Sequence, residues 1–434
     1  MIESKPSLGG GGEKAAPPSR SPASAWTPLL YSLFRWLWIA SVVSNIGTWM
    51  QNVGAAWLMT SLAPTPMMVA LVQTATYLPV FLLGVPAGAF ADIIDRRKLL
   101  LVTQAWMLAA AGLLGALTLA GAVGPWTLLL LTFALGLGST MNAPAWQAIV
   151  PELVERSELP AAIALNSVGF NLARAVGPAL GGLVVAAIGA GGAFVLNAIS
   201  FVGVLIVLYL WRRSPEHTAV TEGVSSAIRA GMRYVWHAPQ LHSVLLRSAA
   251  FVLSASALWS ILPLVARDEL HSESAGYGIL LGCLGAGSIL GAVILSRLRS
   301  SLSPDVIVTG ATVLFGLVNI ALAYLNAFSG VALALMCGGL GWMAVNSTLN
   351  TSAQTVLPAW VRARALAVYL LGFQGSMAIG SVIWGAVASR VGLRTTLLIA
   401  GIALLAGAAL TARRRLAWFL DMDASPAAQA DQSG

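Results

Sequence analysis

Arg174 is the residue whose type and position most directly suggest chemistry in this chain. It is the single charged residue in the segment 166–182, which reads NSVGFNLARAVGPALGG. A charge inside a hydrocarbon layer is costly, and it marks a functional site by default. The guanidinium could attract an acidic or catechol-bearing ligand. The alternative is a structural brace that packs against Asn171 and the ends of neighbouring helices.

The other reactive residue types are placed where they exclude several mechanisms. Each Asp and Glu falls in a loop, in a tail or at the edge of an apolar stretch, so no acid is positioned to carry a proton mid-membrane. Protons remain a candidate coupling ion only through an edge residue such as Asp92 or Asp305. The four histidines lie in loops or at an edge, and Cys283 and Cys337 form no metal-ligand pattern. With no P-loop or nucleophile motif, we expect no enzyme, no metal and no cofactor.

Uncharged polar side chains are the third candidate group, and several recur at helical spacing within apolar stretches. Because polar groups that face lipid are costly, they are expected to surround a water-filled cavity, whereas purely apolar spans should face lipid. Tryptophans in the polar spans could form the walls of a pocket, although ordinary helix packing explains any one of them equally well. The predicted cavity residues are Asn45, Thr48, Trp49, Gln51, Asn52, Asn142, Asn171, Arg174, Asn346, Asn350 and Gln374.

The elements that position these residues follow from composition. Of 434 residues, 58% are hydrophobic and 9% are charged, against roughly 25% charged residues in an ordinary soluble domain. A helix that crosses a bilayer needs about 20 mostly apolar residues. Twelve such stretches predict an all-α integral membrane protein with twelve transmembrane helices: 36–60, 67–90, 99–121, 126–150, 159–188, 193–211, 244–266, 276–297, 305–326, 330–356, 363–388 and 394–412.

Basic residues predict the orientation of these spans, because loops rich in Lys and Arg stay on the cytoplasmic side. Of the 24 Lys and Arg residues, Arg267, Arg390 and Arg394 fall in loops on one side and Arg174 falls within a span, while the others fall on the opposite side. Both termini are therefore expected in the cytoplasm. Topology explains the net charge of +8, so no nucleic-acid partner is expected.

Glycine and arginine positions predict an internal duplication. Gly84 and Arg96 recur as Gly287 and Arg299, at an offset of 203 residues that further glycine pairs share. Two six-helix pseudo-repeats are typical of transporters. The predicted organisation is a disordered N-terminal tail (1–30), a six-helix bundle (31–211), a cytoplasmic linker (212–243), a second six-helix bundle (244–415) and a cytoplasmic tail (416–434).

The predicted linker carries an apolar stripe of its own. Val224, Ile228, Met232 and Val235 recur at helical spacing beside basic residues. This pattern predicts an amphipathic helix that lies on the inner membrane surface. A solvated linker helix is the alternative.

The loop after the second span reads GAFADIIDRRK over residues 88–98. It resembles motif A of the major facilitator superfamily, with Asp95 where many members have glycine and Ile93 where they have a basic residue. The resemblance covers nearly all of residues 30–415 and implies a latch between two helix bundles. A plain positive-inside loop is the alternative. The latch residues that the resemblance implies are Gly88, Asp92, Asp95, Arg96 and Arg97.

The fifth span is similar to motif C, which in the superfamily marks exporters that work by antiport. The residues that carry this similarity are Gly177, Pro178, Gly181 and Gly182. Together with residues 166–174, they resemble the transmembrane secretion effector branch. The fourth span lacks the arginine of motif B, which many proton antiporters have.

The resemblance implies a monomeric secondary exporter in the bacterial inner membrane. It is expected to cycle by alternating access and to carry a small amphipathic compound such as a siderophore, a macrolide or another drug. Two alternatives stay open at this point. One is an importer or uniporter of a small metabolite, and the other is a non-transporting membrane sensor on the same fold.

Overall fold

The computed structural model describes residues 25–211, 238–356, 362–413 and 416. Within these residues every regular element is a helix, which confirms the predicted all-α fold class. The predicted linker helix at 224–235 lies outside the described residues, and so does most of both predicted tails. The predicted disorder does not extend to residue 30, because Thr27–Leu30 forms a one-turn 3-10 helix.

The N-terminal half forms six helical segments, two of which belong to one long stretch. Leu159–Leu210 is helical except at Gly189, whose φ of 77° and ψ of 169° break the helix. This backbone region is essentially restricted to glycine, so Gly189 divides the stretch into two helices. The helices of this half are α1 (Ser32–Leu62), α2 (Pro66–Ile93), α3 (Arg96–Leu119), α4 (Pro125–Leu153), α5 (159–188) and α6 (190–210).

The C-terminal half repeats this series. Its first helix begins at Pro239, inside the predicted linker, and is followed by one π-helical turn, Val265–Glu269. The helices of this half are α7 (Pro239–Leu264), α8 (Ser274–Leu298), α9 (Pro304–Tyr324), α10 (Phe328–Val356), α11 (Arg362–Val391) and α12 (Leu393–Thr411).

Helix length and composition support a multi-pass membrane protein. Ten helices in the described residues are long and apolar enough to span a bilayer, with Leu159–Leu210 taken as one. Its 52 residues exceed twice the length that one crossing needs, about 20 residues. α1 is not among the ten, although its 31 residues are long enough. The number of twelve spans therefore stays a prediction.

Local sequence explains where several helices begin. Asp95 accepts a hydrogen bond from the backbone N–H of Lys98 at 2.9 Å, and Thr65 accepts one from that of Met68 at 3.4 Å. Such N-caps satisfy backbone donors that have no partner within the helix. Proline occupies the first turn of α2, α4, α5, α7 and α9, where its missing N–H costs nothing.

Arginines brace the end of the sixth helix in both halves. Arg97 donates to the carbonyl oxygens of residues 208–209, at 2.8 and 2.7 Å. Arg247 donates to those of residues 411–412, at 3.1 and 3.2 Å. The offset of 203 relates the two acceptor pairs, although the arginines come from different helices of the repeat. The two halves therefore stabilise equivalent helix ends with different residues.

α3, α6, α9 and α12 expose large apolar side chains, as other helices such as α5 and α8 also do. An apolar surface of this extent suits contact with lipid rather than with water. That the most apolar spans form the lipid-facing layer stays a prediction. The exposed side chains include Val102, Trp106, Leu113, Ile199, Ile206, Val306, Leu317, Ile402 and Leu410.

Candidate functional site: two connected cavities

A cavity of about 450 Å³ lies between the two halves of the chain and is termed the central cavity. α1, α2 and α5 line it from the N-terminal half, and α7, α8 and α10 line it from the C-terminal half. Most of its wall is apolar or aromatic. Its polar lining residues are Asn52, Gln73, Tyr77, Ser167, Asn171, Arg174, Tyr277 and Ser288.

Arg174 is the one charged side chain among the described residues that line the central cavity. Its guanidinium carbon lies 5.9 Å from the ring centre of Trp49, which is a cation–π contact between α5 and α1. Tyr77 of α2 lines the same cavity. No carboxylate of the described residues lies within 4.0 Å of the guanidinium. Arg174 therefore brings a positive charge to the cavity, with no acid of the described residues paired to it.

A second cavity, of about 640 Å³, lies within the N-terminal half and is termed the polar cavity. α1, α3, α4, α5 and α6 surround it, and it reaches Pro151 and Leu159 at the end where α5 begins. It shares Ser167 and Asn171 with the central cavity, so the two adjoin. Its hydrogen-bonding residues are Ser41, Ser44, Asn45, Thr48, Gln104, Ser139, Asn142, Gln147, Asn166, Ser167 and Asn171.

Neighbouring groups hold several side chains of the polar cavity in place. The Asn142 side-chain oxygen accepts hydrogen bonds from Thr103 Oγ1 at 3.1 Å and from Gln104 Nε2 at 3.2 Å. Asn45 and Asn171 each donate to a backbone carbonyl one turn earlier, at 2.8 Å. Such bonds fix the side-chain rotamers before a ligand arrives. The wall thus presents oriented amides and hydroxyls.

Aromatic rings pack together in the C-terminal half, and the group Phe251, Trp259, Phe315, Trp342 and Phe373 is termed the aromatic cluster. Trp342 is central, with ring centres 5.3 Å from Trp259 and 5.7 Å from Phe251. Phe315 and Phe373 follow at 6.0 and 6.1 Å. Trp259 also lines the central cavity, so this cluster supports one of its walls.

The two halves are in direct backbone contact near one end. A Cβ atom on Gly182 of α5 would lie 2.6 Å from the Cα atom of Gly278 of α8, and the reverse holds as well. In the π-helical turn, Arg267 donates to the carbonyl oxygen of Thr60 at the end of α1. A hydrogen bond of 3.2 Å also joins the first turn of α2 to α11. This end, where α2 and α8 begin, is therefore closed.

The residues of the motif C segment bring α5 close to its neighbours. A Cβ atom on Gly177 would meet the Cβ atom of Trp49 at 2.6 Å, and one on Gly181 would lie 2.8 Å from the Cα atom of Met50. Gly182 allows the contact with α8 that closes one end. Pro178, by contrast, lines the central cavity. The segment thus connects the closed end with the cavity wall.

The residues of the motif A segment contact other helices of the N-terminal half. Arg96 forms an ion pair with Glu152 at 2.9 Å, and Arg97 braces the end of α6. Asp95 caps α3, and a Cβ atom on Gly88 would meet nothing within 4 Å. The Asp92 side chain lies outside the described part of the chain. This segment thus lies at the end opposite the closed one, and its role as a latch between the halves stays a prediction.

The predicted cavity residues divide into two groups. Seven of them line a cavity, and Asn171 lines both: Asn45, Thr48, Trp49, Asn52, Asn142, Asn171 and Arg174. The other four are not among the lining residues of either cavity: Gln51, Asn346, Asn350 and Gln374.

Three of the four residues outside the cavities satisfy their amides by other contacts. Gln51 is buried and accepts a hydrogen bond from the side chain of Asn197, which joins α1 to α6. Asn346 donates to a backbone carbonyl one turn earlier, at 2.8 Å. Asn350 accepts from the side chain of Gln354 on its own helix. Helical spacing alone did not distinguish these contacts from cavity lining.

Several cavity residues were not predicted from the sequence. Gln104 and Ser41 line the polar cavity, and Gln73 and Tyr77 line the central one. Gln104 could have been predicted from the sequence. Its amide lies in a span expected to face lipid, and a polar side chain in such a span is expected to point into the bundle. Tyr77 carried none, since tyrosine fits packing, interfaces and binding sites alike.

The chain is similar to known membrane proteins over most of its length. The family model for "Transmembrane secretion effector" matches residues 23–433. The chain belongs to the transmembrane secretion effector family. It is 23% identical over 378 residues to the staphyloferrin A transporter of Staphylococcus aureus, covering 85% of this chain and 92% of the relative. It is 25% identical over 389 residues to the multidrug efflux pump Tap of Mycolicibacterium fortuitum, covering 86% and 91%.

A solved structure shows the same fold. It is that of a bacterial homologue of the human lysosomal transporter Spinster, in an inward-facing and occupied conformation. The TM-score is 0.72 at 15% sequence identity, and the match covers 92% of this chain and 99% of that one. This family member is therefore a multi-pass membrane transporter of the major facilitator type, whose substrate is a small molecule.

Proposed function

We propose that this transporter is a secondary active exporter of a small amphipathic molecule, such as a siderophore, a macrolide or another drug. The pair of adjoining cavities carries the proposal. The central cavity offers apolar and aromatic walls, and the polar cavity offers amides and hydroxyls within reach of the same ligand. A ligand with one apolar face and one hydrogen-bonding face fits this combination.

The closed end supports a cycle of alternating access. The distribution of basic residues among the loops predicts that the closed end, where α2 and α8 begin and Gly182 meets Gly278, faces away from the cytoplasm. The conformation is then inward-facing, and the polar cavity reaches toward the cytoplasmic end at Leu159. Cargo would load from the inside and leave after the halves exchange their contacts. The efflux activity named for Tap supports this direction.

Transport into everted membrane vesicles tests the proposed function. Vesicles with and without the protein are given a siderophore, a macrolide and a cationic dye, each with and without a proton gradient. Protein-dependent accumulation of at least one compound is expected. Accumulation only in right-side-out vesicles would indicate an importer, and no accumulation in either orientation would favour a sensor.

A reversible cross-link tests alternating access within the same assay. A Cβ atom on Gly282 of α8 would lie 3.2 Å from the Cβ atom of Ala179 of α5, close to the roughly 3.5–4.5 Å of a disulfide. With Cys283 and Cys337 replaced by serine, Ala179→Cys combined with Gly282→Cys should stop transport when oxidised. Reduction should restore it, and each single cysteine variant serves as the control. Undiminished transport by the oxidised pair would refute the opening of this contact.

A further inference from the structure

We infer that Arg174 binds an acidic group of the cargo, so that this transporter selects amphipathic anions. The inference rests on the proposed function and deepens it, because it names the chemistry of the substrate. The alternative for Arg174 is a structural brace, and the contacts of the other arginines distinguish between the two roles.

Other arginines of the described residues show what a structural brace looks like here. Arg96 is paired with Glu152, Arg247 with Asp305 and Arg394 with Glu269, with nitrogen–oxygen distances of 2.9, 2.9 and 2.6 Å. Arg97 and Arg267 donate to backbone carbonyls at helix ends. Each of these side chains donates N–H groups to acceptors of the protein itself.

Arg174 differs from them in the partners that it has. Among the described residues its side chain makes a cation–π contact with the Trp49 ring at 5.9 Å, and Tyr77 lines the same cavity. A ring face attracts a cation but accepts none of the five guanidinium N–H groups in the way that a carboxylate does. Those donors therefore stay available at the edge of the guanidinium, inside a cavity between two halves of a membrane protein.

The surroundings of Arg174 determine which anion fits. A charge in an apolar site is strongly favoured by a counter-charge that binds through paired hydrogen bonds. Asn171, one turn away on α5, and the Tyr77 hydroxyl line the same cavity and can add neutral donors. Leu281, Leu284 and Ile289 of α8 face the same space and suit an apolar body. A carboxylate, sulfonate or phosphate on an aromatic or aliphatic body meets both requirements.

Anion binding also has a consequence for energy coupling. Arg174 is the single charge among the described lining residues, so a bound monoanion leaves the loaded site nearly neutral. After the anion is released outside, the empty site, which carries the positive charge of Arg174, turns back toward the cytoplasm. One cycle then moves negative charge outward, and a membrane potential that is negative inside favours that movement.

A matched set of fluorescent probes tests the inference. Dansylate is an anion, dansylamide is its neutral analogue and dansylcadaverine carries a cation on the same ring system. Their binding to the purified protein can be followed by energy transfer from tryptophan, since Trp49 lies beside Arg174. The parent should bind dansylate about 10- to 100-fold more tightly than dansylamide. In Arg174→Gln this preference should fall to within about twofold, with Arg174→Lys intermediate.

Equal binding of the three probes by the parent, or no binding of any, would overturn the inference. So would an Arg174→Gln variant that keeps the preference for dansylate. If Arg174→Gln is not recovered as a folded protein, the parent and Arg174→Lys decide, since the lysine variant keeps the charge but loses the paired donors. Equal preference in these two proteins would exclude a role for the guanidinium.

Transport in proteoliposomes separates this inference from the proposed function. Dansylate is trapped inside, and a potassium gradient with valinomycin sets the potential. An inside-negative potential should speed protein-dependent efflux several-fold over an inside-positive one. A parent that carries dansylcadaverine but shows no preference for dansylate keeps the proposed function and loses the inference. A parent that prefers dansylate but moves no probe keeps the site and loses the proposed function.

Discussion

In the N-terminal half, five helices surround the polar cavity of about 640 Å³, whereas in the C-terminal half the aromatic cluster occupies the corresponding place. The offset of 203 relates Thr48 and Ser139, which line the polar cavity, to Phe251 and Trp342 of the cluster. Small hydroxyl side chains leave a cavity in the N-terminal half, whereas large rings fill the equivalent space in the C-terminal half.

This difference indicates a division of roles between the halves. Rings packed at 5.3–6.1 Å bury much apolar surface and resist deformation. Oriented amides and hydroxyls can instead exchange water for a polar ligand. We therefore expect the C-terminal half to contribute rigidity and an apolar wall, and the N-terminal half to contribute hydrogen bonds and, through Arg174, charge.

The largest effect is expected when the aromatic cluster is opened. Trp342→Ala should destabilise the protein by about 3–5 kcal/mol, because it removes a buried ring and leaves a cavity. Thermal unfolding in detergent measures the loss. Trp126→Ala is the control, since Trp126 is 71% exposed and should change stability little. Similar stability of both variants would mean that the C-terminal half is not the rigid partner.

A glycine pair that the repeat relates should respond unequally to one added methyl group. A Cβ atom on Gly287 would overlap the backbone carbonyl of Met336 in α10, whereas one on Gly84 would meet the flexible side chain of Leu371 at 3.2 Å. Gly287→Ala should therefore cost about 2–3 kcal/mol and Gly84→Ala less than about 1 kcal/mol. The same unfolding assay compares them. Equal costs would contradict tighter packing in the C-terminal half.

A third change should make the N-terminal half resemble the C-terminal one. Ser139→Trp places an indole at the position that Trp342 holds in the repeat, and it should fill part of the polar cavity. Binding or transport of cargo should fall about tenfold, which is roughly 1.4 kcal/mol, while the protein stays folded. Ser139→Ala should behave like the parent. Full activity of the tryptophan variant would place the cargo outside the polar cavity.

The smallest effects are expected from partly exposed ion pairs, which both halves possess. Arg394→Gln removes the pair with Glu269, and Arg96→Gln removes the pair with Glu152. Each should cost less than about 1 kcal/mol, and added salt should reduce the difference from the parent. A larger, salt-independent loss for one of the two would show that its half depends on that bond.

Much of the fold could be predicted because hydropathy records which residues face lipid. The span predicted at 159–188 ends where Gly189 breaks the helix, and the other helices differ from their predicted bounds by a few residues. Arg174 was recognisable as well, since one charge in an apolar span is conspicuous. Helix ends, span order and the unusual charge are local properties, and a single segment is enough to show them.

The cavity walls were predictable only in part, because lining a cavity is not a local property. α1 and α10 both carry amides at helical spacing, and the sequence predicts the same role for both. In the structure Asn45 lines the polar cavity, whereas Asn346 does not line either cavity and donates to its own helix. The neighbours decide the outcome, since the aromatic cluster fills the space beside α10.

The sequence by itself predicted that this chain is an all-α membrane protein, and that a single charge lies within one of its apolar segments. Transfer of apolar surface out of water and the cost of lipid-exposed polar groups suffice for those conclusions. Only the tertiary structure decided that Arg174 reaches a cavity beside Trp49 with no carboxylate of the described residues paired to it, and that the polar cavity lies within the N-terminal half. Both depend on which side chains meet across helices that are distant in sequence, and packing sets those distances.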